Sequence, residues 1–166
     1  PWELWWICHC KMPMNIKEAL LMHCKMFVNK RMQTVEEIIY SHQKSLQSET
    51  KSSAGDKHET GRAMIQLEME KASQQLAGIS EMNQILSKID ISISENSKQN
   101  AAHLGSVIYT AKANYFLSIS AGKIDIENAS YFAISVSSPI GKLLLGKHEN
   151  DEFLFDGNRI KIQKIV

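Results

Sequence analysis

The chain has 166 residues, 43% of them apolar and 22% charged, with a formal net charge of +1. That length supports one domain or two small ones, and the apolar content is enough for a core. The near-zero charge excludes a global basic field of the kind that holds proteins on nucleic acid, so any such contact must be local.

Residues 1–13, PWELWWICHCKMP, hold all three tryptophans. They lack the basic start and small-residue cleavage site of a signal peptide. Met14 opens a regularly patterned segment, so residues 1–13 read as an upstream or non-native extension, or else as an apolar docking segment. Cys8, Cys10 and Cys24 are odd in number and crowded at one end. They do not make a disulfide framework, and a reducing compartment follows. Cys8-His9-Cys10 without a second knuckle is a weak zinc signature. No apolar run approaches the ~20 residues that a membrane span needs.

From Asn15 to Gln47 the apolar residues Ile16, Leu20, Cys24, Phe27, Val28, Val35, Ile38, Ile39 and Leu46 recur at steps of mostly three and four. They form one helical stripe with no Gly or Pro inside. A helix of that length spans about 45 Å. Ser48 to Gly55 breaks the pattern with Ser, Thr and Gly and reads as a turn. Asp56 can cap the next helix, and Glu59, three residues on, can reach back to the cap amide. The second helix is predicted from Asp56 to Ile89, with the stripe Ile65, Met69, Ala72, Leu76, Ile79, Met82, Leu86 and Ile89. Two long helices with one stripe each and a short turn bury those stripes by folding antiparallel. Residues 14–89 are therefore a coiled-coil hairpin with an acidic tip at 52–60.

Residues 90–104 are polar and read as a linker. After them the period changes from helical to alternating. Val107 to Thr110, Tyr115 to Ser120, Ile124 with Ile126, and Tyr131 to Val136 are predicted strands. Pro139 opens a short apolar helix that Gly146 stops. Phe153 to Phe155 and Arg159 to Ile165 are predicted strands around Asp156-Gly157-Asn158, a hairpin-turn sequence. The fold class is α+β: a long antiparallel α-helical hairpin followed, at 105–166, by a small antiparallel β-sheet domain with one short helix.

Two motifs stand at matching places in this plan. Gly55-Asp56-Lys57-His58-Glu59 lies at the hairpin tip. Ser137-Ser138-Pro139-Ile140-Gly141-Lys142-Leu143-Leu144-Leu145-Gly146-Lys147 lies in the β-rich domain. Together they resemble the GreA/GreB family of bacterial transcript cleavage factors over about residues 14–166. The resemblance implies an FKBP-like C-terminal domain that docks on RNA polymerase through the turn at Ser137, Ser138 and Pro139. It implies a coiled coil that enters the secondary channel. There Asp56 and Glu59 would help hold a Mg²⁺ shared with the polymerase active site, near the 3′ end of nascent RNA. Lys57, His58 and Arg62 would be tip contacts. The polymerase itself hydrolyses backtracked RNA, so the factor is not an enzyme and holds no cofactor tightly. A cytoplasmic monomer that binds no membrane is implied.

The residue chemistry is compatible with that role. Mg²⁺ takes hard oxygen ligands, often one or two carboxylates completed by water and phosphate. Carboxylates at i and i+3 share one side of a helix start. Their other reading is a capping box and nothing more. Where the family has Asn-Ala-Glu-Tyr after the second carboxylate, this chain has Thr60-Gly61-Arg62-Ala63. Ser137 replaces a frequent Asp, and Asn150 stands at a family Gly. These departures keep a second function open, that of a channel-binding regulator without cleavage stimulation. A third is peptidyl-prolyl isomerisation, should Tyr115, Phe116, Tyr131, Phe132, Phe153 and Phe155 line a pocket. No nucleotide-binding loop and no assignable Ser-His-Asp or Cys-His set is present.

Overall fold

The computed structural model describes residues 15–49, 56–91 and 101–166, with side chains for all of these except 49 and 56–58. Helix α1 runs Ile16–Glu49 and α2 runs Asp56–Ser87. Asn15 starts α1: its side-chain oxygen accepts from the Lys17 amide at 3.2 Å and its carbonyl from the Ala19 amide at 3.1 Å. Asn is among the better residues at this position because its short side chain satisfies an orphan helix donor. Helix α1 ends two residues beyond the expected Gln47. Helix α2 stops at Ser87 and closes with a tighter turn, where the Lys88 amide bonds Ile85 O and the Ile89 amide bonds Leu86 O.

The stripes meet as their spacing predicts. Leu20, Cys24, Val28 and Val35 of α1 pack in one cluster with Ala72, Ile79 and Leu86 of α2. Burial is graded along the hairpin. Leu20, Cys24 and Val28 are fully enclosed, whereas Ile39, Leu46, Ile65 and Met69, toward the tip, stay half-exposed. Two helices alone leave a flank of each seam residue open; near the base the sheet supplies the third wall.

That sheet has six strands: β1 Val107–Thr110, β2 Asn114–Ser118, β3 Gly122–Ile126, β4 Ala129–Ser135, β5 Glu152–Phe155 and β6 Asn158–Ile165. Their spatial order is β3-β4-β2-β1-β6-β5. The sheet is mostly antiparallel, but β2 and β4 run parallel, with Asn114 opposite Tyr131 and Ser118 opposite Ser135. The third expected strand is a hairpin partner of β4, which carries β4 back alongside β2. Helix α3, Pro139–Leu144, lies between β4 and β5. The hairpin turn at Asp156-Gly157 has φ of 50° and 71°, positive at both residues as a two-residue type I′ connection requires. Asn150 sits at φ 71°, a conformation that Asn tolerates and most residues do not.

Alternation sorts the sheet's side chains onto two faces. Val107, Phe116, Ile124, Tyr131 and Ala133 face the hairpin base and join its cluster. Ile108, Tyr115, Leu117, Phe153, Ile160 and Ile162 form a second cluster with Leu144 of α3 and Ala102. The predicted linker therefore ends earlier than 104. The Ala102 amide bonds Lys147 O, and the Gly146 amide bonds Ala102 O, both at 2.7 Å; residues 92–100 of that linker lie outside the described residues. Cys24 Sγ stands 3.7 Å from Ser118 Oγ at the helix-sheet junction, and burial pushes its thiol up.

At the same junction Tyr109 and Tyr131 meet edge to face, with ring centroids 6.2 Å apart. Burial, and then the neighbouring Tyr131, push the Tyr109 phenol up from 10.0 to about 12. The folded chain thus keeps this proton where the unfolded chain has lost it. The resulting stabilisation is complete below pH ~10 and disappears as pH rises to about 12. Urea midpoints at these two ends should differ, and Tyr109→Phe should flatten the difference.

Candidate functional site

The two motifs occupy two separate places. Asp56 opens α2, so Asp56 and Glu59 share its first turn at the end of the hairpin remote from the sheet. Helix α2 has 32 residues, which sets this turn about 48 Å from its base. Glu59 is exposed, and so is Arg62 one turn later. No ion pair joins these two among the described residues. The side chains of Asp56, Lys57 and His58, and residues 52–55, lie outside the described residues. So do residues 1–13 with Cys8, His9 and Cys10.

The chemistry of the tip donors suits a hard cation. A helix start also favours negative charge, because its free amides and macrodipole point outward. Two carboxylates cannot fill an octahedral shell. Among the described residues no three His, Cys, Asp or Glu side chains gather into a metal site. A Mg²⁺ at Asp56 and Glu59 would thus need oxygen donors beyond these two.

The second motif is fully described. The turn after β4 is held by serines. Ser135 Oγ and Ser137 Oγ lie 2.7 Å apart, and the Ser137 amide donates to Ser135 Oγ at 3.2 Å. Ser138 is the N-cap of α3, with φ −67° and ψ 157°. Its hydroxyl accepts from the Gly141 amide at 3.1 Å and donates to Ser135 O at 2.6 Å. Pro139 follows at the first helical position, where its missing N–H costs nothing and its fixed φ suits the helix. Ser137 and Pro139 are exposed and Ser138 is half-buried. The expected turn is thus a rigid knuckle that presents Ser137 and Pro139 outward. Replacing the cap, Ser138→Ala, should cost about 1 kcal/mol in urea unfolding.

Two features beside the knuckle were not legible in the sequence. One is Gly141, whose Cα faces the Ser135 carbonyl so closely that a Cβ would stand 2.0 Å from the oxygen. A glycine inside a predicted helix signals only lower propensity. The other is a cleft of about 330 Å³ between the knuckle and α2, lined by Glu81, Met82 and Ile85 on one side and Ile119, Ser135 and Ser138 on the other. Only the fold brings α2 to this turn.

The aromatic residues divide between the two sheet faces. Phe116 and Tyr131 are buried toward the hairpin, and Tyr115 and Phe153 toward α3. Phe132 is 38% exposed beside Tyr115. Phe155 packs on the α3 side as well.

The architecture is α+β, with one motif at the free end of a helical hairpin and the other, a capped Ser-Pro knuckle, on the sheet domain. No family model matches the sequence, and no curated protein matches it either. Among solved structures the chain is similar to Gfh1 of Thermus aquaticus at 22% identity, over 87% of this chain and 94% of that one, with a TM-score of 0.31. It is also similar to a prokaryotic transcription elongation factor GreA/GreB from Nitrosomonas europaea at 18% identity, over 53% of this chain and 78% of that one, with a TM-score of 0.28. At such values neither likeness bears on function, which is argued below from the residues. No described helix is long and apolar enough to cross a membrane.

Proposed function

We propose that this chain is a GreA/GreB-like transcription factor. In this reading its C-terminal domain binds RNA polymerase through Ser137, Ser138 and Pro139, and its hairpin enters the secondary channel. The tip then stimulates cleavage of backtracked RNA. The observation that carries the reading is the joint placement of the two motifs. Asp56 and Glu59 share the first turn of α2 at the free end of the hairpin, and Ser138 caps α3 on the domain at its base.

The roles divide by chemistry. The knuckle docks: Ser137 supplies an exposed hydroxyl and Pro139 a rigid apolar edge. The hairpin supplies reach. Asp56 and Glu59 supply carboxylate oxygens to a Mg²⁺ shared with the polymerase. Bound there, such an ion stabilises charge on the attacking and leaving oxygens of a phosphodiester. Lys57 and His58 stand between the carboxylates in sequence and would be the tip's contacts to RNA phosphate.

Arg62 favours a second reading. It is exposed one turn after Glu59, at the position where the family motif carries an acid. A cation there offsets the local negative charge that a metal needs, so the hairpin could fill the channel without stimulating cleavage. The two readings separate in one experiment. Retention of the chain by immobilised core polymerase should fall when Ser137 and Pro139 are both changed to Ala. Cleavage should then be compared between the chain and a version carrying Asn-Ala-Glu-Tyr at 60–63. Cleavage gained only by the replacement supports the regulator; equal cleavage by both supports the cleavage factor; no retention of either chain sinks both.

A further inference from the structure

Midway along the hairpin, a groove of about 420 Å³ runs beside α1 from Phe27 to Ile38 and is bounded by Gln75 of α2. Its floor is apolar. Val35 is buried, Phe27 is half-buried and Ile38 is 40% exposed. Its rim is cationic. Lys30 and Arg31 both line it, and the Arg31 guanidinium lies 5.5 Å over the centre of the Phe27 ring.

The charge here is one-sided. Helix α1 carries no carboxylate between Glu18 and Glu36, a stretch that holds Lys25, Lys30 and Arg31. The facing part of α2, between Lys71 and Glu81, carries no charge at all. Neither Lys30 nor Arg31 forms an ion pair among the described residues. Past Val35, Glu36 and Glu37 are both exposed, and Glu37 accepts from Gln33 Nε2 at 3.1 Å. Among the described residues the groove therefore has a partly exposed apolar floor and two cations that form no ion pair.

We propose that this groove docks an acidic amphipathic segment of a partner protein. An aliphatic or aromatic anchor would cover Phe27, Val35 and Ile38, and flanking carboxylates would meet Lys30 and Arg31. Such a ligand lays its apolar face in a hydrophobic groove and sets its register by charge at the rim. RNA fits the same place less well. Bases stack on open aromatic faces, and one face of Phe27 is already covered by Arg31. Two rim cations also neutralise few phosphates, and phosphate neutralisation supplies most nucleic-acid affinity. The inference uses neither the tip nor the Ser-Pro knuckle, so it stands or falls separately from the polymerase reading.

The test is titration of the full ¹⁵N-labelled chain with a synthetic peptide that carries a central Leu-Phe pair flanked by Asp and Glu. The amide signals of Lys30, Arg31, Thr34 and Gln75 should shift and saturate. The double charge reversal Lys30→Glu, Arg31→Glu should weaken binding about tenfold or more, and raised salt should weaken it several-fold. A peptide with Lys for its acids, or with Ala for its Leu-Phe pair, should not saturate these signals. Should the double reversal fail to fold, Lys30→Gln with Arg31→Gln makes the same comparison. Shifts absent from these amides, equal binding by the basic peptide, or tighter binding there by a single-stranded RNA of similar length would overturn the proposal. So would shifts that grow with chain concentration alone, since a second copy would then be the occupant.

Discussion

Gly141→Ala is expected to unseat α3 and to cost the chain about 3 kcal/mol. The new Cβ would stand 2.0 Å from Ser135 O, 2.9 Å from the same carbonyl carbon and 3.0 Å from Ser138 Oγ. None of these atoms can yield cheaply. Ser135 belongs to β4 and is paired with Ser118 of β2. Its carbonyl already accepts from the Ser138 amide at 3.0 Å and from Ser138 Oγ at 2.6 Å. The helix must therefore move and give up its cap. Better helix propensity returns only about 1 kcal/mol. Gly78→Ala is the matched control, because it is also in a helix but has nothing within 4 Å of the added carbon; it should stabilise by about 0.5–1 kcal/mol. Urea unfolding of both variants measures the contrast. Amide exchange across 138–146 should rise only in Gly141→Ala. Equal stability of the two variants would mean that the Ser135 carbonyl does not pin the knuckle.

Phe116→Ala is expected to be the most damaging core truncation, at about 3–5 kcal/mol. Phe116 lies on β2, flanked in the sheet by Val107 of β1 and Ala133 of β4. It is fully buried against the hairpin cluster. Its removal opens a cavity where helices and sheet share one core, and the backbone on both sides is paired and cannot collapse into it. Phe132→Ala removes the same side chain from neighbouring β4. Phe132 is 38% exposed, so that change should cost less than about 1.5 kcal/mol. A Phe116 variant no weaker than the Phe132 variant would place the shared core elsewhere.

The elements were legible because their periods are distinct. Leu20, Cys24, Val28 and Val35 recur at helical spacing, and each faces the partner helix as that spacing requires. Asp156-Gly157 announced its hairpin, since few dipeptides accept two positive φ values. What was not legible is long-range. The parallel pairing of β2 with β4 joins Asn114 to Tyr131 across an intervening strand, and no local pattern encodes a partner that far away. Ala102 looked like linker because Ser, Asn, Gln and Lys dominate the stretch that leads to it, yet its amide and carbonyl tie it to Lys147 and Gly146. The same limit governs the site. Pro139 could be read as a helix opening, and Asp56 from capping chemistry. Gly141 and the cleft beside Met82 could not, because their meaning comes from a carbonyl and a helix supplied by other parts of the chain.

The groove at Phe27 shows why a near-neutral net charge can mislead. The +1 total averages a mid-hairpin stretch with three cations against carboxylates elsewhere, and local fields fall off within about 8–10 Å at ordinary ionic strength. A partner meeting that stretch encounters the cations rather than the average.

The central claim is that the hairpin tip completes a metal site in a polymerase, and RNA cleavage in a purified, deliberately backtracked polymerase measures it directly. The chain should accelerate cleavage, and the double change Asp56→Ala, Glu59→Ala should abolish the acceleration while leaving retention on polymerase unchanged. Acceleration that survives the double change, or retention with no acceleration from either chain, would contradict the claim.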